Sequence, residues 1–151
     1  SLYAATKLGG ELISESYAQL YKIPQTGLRF FTVYGPWGRP DMAYFLFTQK
    51  ILAGEPITLF APDIMQRDIT YVDDILSVIP TILNTPPSKD SLHTIYNLGN
   101  SRPNRLKALV SAVEEACGAK AKTISKAQQK GYVSSTYADI TPADYSVGFT
   151  P

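Results

Sequence analysis

A tyrosine and, four residues later, a lysine stand at the start of the sequence as Tyr3 and Lys7. Those types at that spacing suit the interconversion of an alcohol and a ketone. A phenol exchanges the hydroxyl proton, and an ammonium one helical turn away favours its phenolate. The help matters, because an ordinary tyrosine titrates near a pKa of about 10. Spacing alone carries little weight, since ten tyrosines and nine lysines in 151 residues produce it by chance nearly as often as not. The plain alternative is an exposed helical turn with an ordinary i,i+4 contact.

For the pair to act together, one helix must present both residues on one face. Leu8, Leu12, Ile13, Tyr17, Leu20 and Tyr21 recur at three- and four-residue intervals, which predicts an amphipathic helix over 2–21. Pro24 and Gly27 end it. Residues 28–34 then form an unbroken aromatic and β-branched run closed by Gly35-Pro36, which predicts a strand buried on both faces. Helix followed by buried strand implies an α/β fold with a parallel sheet covered by helices. Further on, the pattern predicts a helix over 42–53, a turn at Gly54-Glu55-Pro56, and strands over 57–60 and 67–72. A helix capped by Asp73 or Asp74 runs to about 83, a strand covers 94–98, and Asn104 caps a helix ending near Gly118. The chain opens inside a helix without a capping run and stops at Phe149-Thr150-Pro151 with no closing element, as a segment cut at both ends would.

The length suits one domain, 44% apolar residues allow a packed core, and the formal charge of +1 is spread without a basic run. That spread argues against nucleic acid or an anionic membrane surface as partner. The single cysteine, Cys117, excludes an intrachain disulfide and is expected as a buried, inert thiol. A reducing, cytoplasmic setting fits, with an upstream targeting or membrane segment left open; from this segment itself no membrane contact is expected. The lone histidine, His93, has no plausible metal-binding companion in sequence and is expected to be structural.

Beyond Tyr3 and Lys7 come Leu28-Arg29-Phe30-Phe31-Thr32-Val33-Tyr34-Gly35-Pro36, Gly54-Glu55-Pro56-Ile57 and Arg67-Asp68-Ile69-Thr70-Tyr71-Val72-Asp73-Asp74, in that order. The series resembles the C-terminal half of the extended short-chain dehydrogenases/reductases, the NAD-dependent nucleotide-sugar epimerases and dehydratases. Thr32 and Trp37-Gly38-Arg39-Pro40-Asp41-Met42 are most similar to UDP-glucuronate 4-epimerases. The resemblance implies that residues 1–36 are the end of an NAD-binding Rossmann-type sheet with its catalytic helix. Residues 37–151 would then be mainly the smaller, nucleotide-sugar-binding lobe, with some segments returning to the first domain.

It further implies roles. Tyr3 removes the proton of the sugar 4-hydroxyl while hydride leaves C4 for NAD, and the 4-keto sugar turns over before it is reduced again. Lys7 lowers the tyrosine's pKa and holds the nicotinamide ribose, and Phe30 and Phe31 line the nicotinamide side. A 4-keto uronate is a β-keto acid, prone to lose carbon dioxide; Thr32 and Arg39 would fix its carboxylate, the arginine through a bidentate contact. Arg67 would contact the diphosphate of the UDP-sugar, against the alternative of an edge-strand surface charge, and Phe60 would stack on uracil or simply pack. Relatives suggest a homodimer through the Tyr3–Lys7 helix.

Two departures stand out. Where the family has a Pro-Gly-Asp-Val segment that helps hold the nucleotide, this chain reads Lys130-Gly131-Tyr132-Val133, without the carboxylate. The Gly-rich phosphate loop and the Ser/Thr partner of the tyrosine are not in these residues, because Gly9-Gly10 falls within a helix. The rival readings are a UDP-glucuronate decarboxylase or sugar-nucleotide dehydratase, and a non-catalytic module that only binds nucleotide sugars.

Overall fold

In the computed structural model, which describes residues 1–88, 90–127 and 133–151, the first periodic stretch is one helix, α1 (Leu2–Tyr21). It does have a cap: the Ser1 hydroxyl accepts the Ala4 N–H at 3.2 Å, so one short side chain does what a capping run was expected to do. Of its residues only Ala18 is buried, and Leu8, Leu12, Ile13, Tyr17, Leu20 and Tyr21 are all more than half exposed. The period sets the helix, but the described residues leave most of its apolar face uncovered.

The run 28–34 is not one doubly buried strand. It divides into β1 (Gln25–Phe30) and β2 (Thr32–Tyr34), which belong to different sheets. β1 pairs in parallel with β5 (His93–Leu98), and β2 pairs in parallel with β4 (Gln66–Tyr71). None of residues 28–34 is fully buried, because among the described residues β1 has a neighbour on one edge only.

β4 is the hub of its sheet. Besides β2 it pairs with β6 (Pro103–Arg105), antiparallel, and with β8 (Ser135–Thr136), parallel. In a separate ladder β3 (Pro56–Phe60) runs parallel to β7 (Lys122–Lys126). The remaining helices are α2 (Ala43–Leu52), α3 (Val72–Asn84), α4 (Leu106–Cys117) and α5 (Thr141–Val147). The predicted caps of α3 and α4 are displaced, because strands run directly into both helices. Tyr71 and Arg105 are the N-caps, in extended conformation and without a side-chain cap. Asp73 and Asp74 lie in the first turn of α3, where negative charge suits the helix dipole, and Asn104 belongs to β6.

Two apolar clusters hold these layers. One joins Ile75, Val78 and Ile82 of α3 to Leu98 of β5, to Ala143 and Val147 of α5, and to Phe149. Phe149 is 1% exposed, so the residue after α5 is part of this cluster. The other joins Phe47 and Ile51 of α2, Ile57 and Leu59 of β3, and Val110 and Val113 of α4. Cys117 is half-buried at its margin rather than buried, being the last residue of α4.

β4 also carries a buried carboxylate. Asp68 accepts the backbone N–H groups of Asn100 at 2.7 Å, Ser101 at 2.9 Å and Ala138 at 2.8 Å, and the Thr70 hydroxyl at 3.3 Å. It thereby ties β4 to the turn after β5 and to the segment leading into α5. Gly99 makes the approach possible, since a Cβ there would stand 2.6 Å from that of Ala138. No helix among the described residues is long and apolar enough to cross a membrane.

Candidate active site

α1 carries Tyr3 and Lys7 one turn apart, and the Lys7 Nζ lies 5.4 Å from the centre of the Tyr3 ring. Both side chains open on a cleft of about 1000 Å³ between α1 and β1, which Glu11, Arg29, Phe30 and Phe31 also line. The structure therefore brings Tyr3, Lys7 and Phe30 to one place. Tyr3 is 72% and Phe30 54% exposed, so a phenol and an aromatic face are both presented to whatever enters.

One turn beyond Lys7 an ion pair joins α1 to β1. Arg29 Nε and Nη2 each donate to one oxygen of Glu11, both at 2.6 Å. That guanidinium holds the Glu11 carboxyl below its ordinary pKa against the effect of burial, with smaller help from His93, and the same bond raises Arg29. His93 opens β5 beside this cleft, and its Nε2 is enclosed without a hydrogen-bond partner.

The loop after β2 supplies Arg39. The Gly38 N–H bonds to the Gly35 carbonyl at 3.1 Å and the Met42 N–H to the Arg39 carbonyl at 3.2 Å, which folds the Gly-Pro-Trp-Gly-Arg stretch back before α2. Gly38 gives the Tyr44 ring its place, since a Cβ there would stand 2.2 Å from the Tyr44 Oη and the tyrosine would have to move. Arg39 makes a bidentate pair with Asp41, Nε–Oδ1 3.0 Å and Nη2–Oδ2 2.5 Å. Its pKa is raised chiefly by that carboxylate, and the phenols of Tyr3 and Tyr44 are close enough to add to the effect. Arg39 is not among the residues that line the cleft shared by Tyr3 and Lys7.

A second, small cavity of about 70 Å³ brings Thr32 of β2 together with Arg67 of β4, closed by Met42, Tyr44, Ile69 and Asn104. Alternation along β4 does the sorting: Asp68 and Thr70 are buried, while Arg67 and Ile69 face the cavity. β4 has partners on both sides, so Arg67 is not an edge-strand charge. Its Nη1 donates to the Gln66 carbonyl at 2.7 Å and to that of Ser134 at 3.4 Å. Phe60 is not gathered with the others. It ends β3, half-buried beside Lys126, and lines neither cavity. The Lys130-Gly131-Tyr132 departure lies outside the described residues.

Sequence reasoning passed over Glu11, Arg29 and Tyr44. Glu11 had a signal, being four residues beyond Lys7 on the same face; Arg29, inside an apolar strand, marked a charge needing a partner. Tyr44 had none, because only the backfolded loop shows what its hydroxyl meets.

Residues 1–99 match the family described as the NAD dependent epimerase/dehydratase family. The whole chain is 45% identical to UDP-glucuronate 4-epimerase 5 of Arabidopsis thaliana, of which it spans 38%. It is 42% identical to protein CapI of Staphylococcus aureus, of which it spans 49%. Among solved structures, the UDP-glucuronic acid 4-epimerase from Bacillus cereus in complex with UDP-glucuronic acid and NAD superposes with a TM-score of 0.89 at 32% identity. That match covers 100% of this chain and 48% of the other. The chain therefore spans about half the length of the proteins it is similar to.

Proposed function

Because the chain belongs to the NAD dependent epimerase/dehydratase family, we propose that the protein carrying it interconverts UDP-glucuronate and UDP-galacturonate at C4. The observation that carries this reading is the pairing of Tyr3 and Lys7, which share one helix face on an open cleft that Phe30 also lines. The names of the relatives support the choice of a uronate.

The residues present fit NAD. Lys7 has no ion-pair partner among the described residues and is available to a ribose, and the exposed Phe30 ring offers an apolar wall to a nicotinamide. When bound, NAD supplies the acceptor and donor of hydride that oxidation and re-reduction at C4 require. The chain's own work is protonic and positional. The Tyr3 Oη takes and returns the proton of the sugar 4-hydroxyl, and the Lys7 ammonium beside it favours the phenolate that accepts it.

Arg39 already holds a carboxylate in its fork, that of Asp41. A sugar carboxylate competes for the same geometry, with the Thr32 hydroxyl as a second donor, and fixing it in the plane of the ketone disfavours loss of carbon dioxide. Arg67 on β4 serves the diphosphate.

The test is turnover of UDP-glucuronate by the full-length protein, with products separated by chromatography. UDP-galacturonate is expected, and Tyr3→Phe should abolish it while sugar-nucleotide binding persists. Arg39→Ala should divert part of the flux to UDP-xylose. UDP-xylose as the main product of the parent protein would establish a decarboxylase instead, and binding without any turnover would establish a binding module.

A further inference from the structure

We infer that Arg29 is a positioning residue for Lys7: it takes up the Glu11 carboxylate that would otherwise pair with the lysine. The inference rests on the reading of Tyr3 and Lys7 above. Tyr3, Lys7 and Glu11 follow one another at four-residue steps along α1, so their side chains form a row on one face, and all three line the same cleft. A lysine and a glutamate so placed are within reach of an ion pair, although the lysine-first order is the weaker orientation.

Here they do not pair. Both Glu11 oxygens are engaged by Arg29 across the cleft, at 2.6 Å each. A planar guanidinium that donates two parallel bonds outcompetes a lysine ammonium, which offers a carboxylate only a point charge. Lys7 is left without a carboxylate and lies against the Tyr3 ring, 5.4 Å from its centre. The remaining titratable group that lines the cleft is His93 of β5, whose effect falls on Glu11. The one carboxylate that lines the cleft beside the tyrosine and lysine is therefore tied up by an arginine, and the ammonium stays one turn from the phenol.

A purely structural tie between α1 and β1 makes the two partners of the pair equivalent; this inference makes them unequal. In the full-length protein labelled with [13Cζ]tyrosine, the Tyr3 resonance is the one missing from Tyr3→Phe, and its titration midpoint is the readout. Arg29→Ala should release Glu11 to Lys7 and raise the midpoint by about one pH unit. Glu11→Gln, and the double variant Arg29→Ala with Glu11→Gln, should both keep the parent midpoint, although both lose the ion pair. Should Arg29→Ala not fold, Arg29→Lys, which keeps a cation but not the fork, gives a smaller rise in the same direction.

A Glu11→Gln midpoint that moves as far as that of an Arg29 variant overturns the inference, and so does an Arg29 variant that titrates like the parent. Turnover of UDP-glucuronate by the same samples reports separately on the site. At neutral pH, Arg29→Ala should lose about tenfold in kcat with little change in KM. Titrations that follow the expected pattern in a protein that turns nothing over would refute the proposed function and leave the role of Arg29 standing.

Discussion

Replacing Asp68 should cost the protein more stability than any single surface charge. The side chain is 0% exposed and accepts three backbone N–H groups, from Asn100, Ser101 and Ala138, besides the Thr70 hydroxyl. Asp68→Ala removes every one of these acceptors at once. A buried donor left unpaired costs about 1–3 kcal/mol, and three such donors, relieved in part by water entering the space, come to about 4 kcal/mol. Against a typical stability of about 5–15 kcal/mol that is a large fraction. Asp68→Asn keeps one oxygen, which can still serve the Ser101 and Ala138 groups now shared by Oδ2, but it turns an amide donor toward Asn100; about half the loss is expected. Equilibrium urea unfolding of the full-length protein measures both values, and amide hydrogen exchange should accelerate at Asn100, Ser101 and Ala138 before it does elsewhere. If Asp68→Ala lost less than about 1 kcal/mol, or exchange at those three amides stayed as slow as in the parent, the carboxylate would not be the tie described.

Two further outcomes are expected. Gly38→Ala should destabilise by about 1–3 kcal/mol, because its Cβ would stand 2.2 Å from the Tyr44 Oη. Adding Tyr44→Phe should recover part of that loss, and Tyr44→Phe alone should be near neutral since the hydroxyl it removes is buried without a partner; thermal unfolding of the three variants checks both. The Glu11–Arg29 pair should make the seating of α1 sensitive to acid. Glu11 has its pKa depressed in the fold, so its contribution is complete above the ordinary carboxylate range and is lost as pH falls through the depressed value. The difference in melting temperature between the parent and Glu11→Gln should therefore shrink toward zero on acidification, and a difference that persisted in strong acid would show that the pair is not its source.

Element type was legible in the sequence where the period was long and punctuation clear. α1 needed only its recurrence of apolar residues, and α4 ends at Gly118, which adopts the left-handed conformation glycine tolerates. The misreadings share one cause, which is tertiary partnership. An apolar run such as 28–34 states that the residues want cover, but not whether one strand or two will claim it; the switch at Phe31 arises because β5 and β4 lie in different sheets. Caps were misplaced at α3 and α4 for a related reason. Asp74 and Asn104 are good capping types, yet strands that run straight into helices fix the extended-to-helical step at Tyr71 and Arg105, whatever their side chains offer.

The candidate site divides along the same line. Tyr3 and Lys7 are four apart on one helix, so their proximity follows from local geometry, and a sequence can show it. Thr32 and Arg67 are 35 positions apart, and it is the parallel register of β2 on β4, with Thr32 opposite Ile69, that brings them to one cavity. Asp68, next to Arg67, is turned the other way by the strand's alternation, so two neighbouring charged residues serve opposite faces: one lines the cavity and the other ties the fold together beneath it. Arg39 depends on neither device but on a loop that folds back because Gly38 allows Tyr44 beneath it. A substitution that spared every charged residue of the site but filled the space at Gly38 would disturb the loop that carries Arg39 and its pair with Asp41, while Tyr3 and Lys7, held by α1, would keep their places.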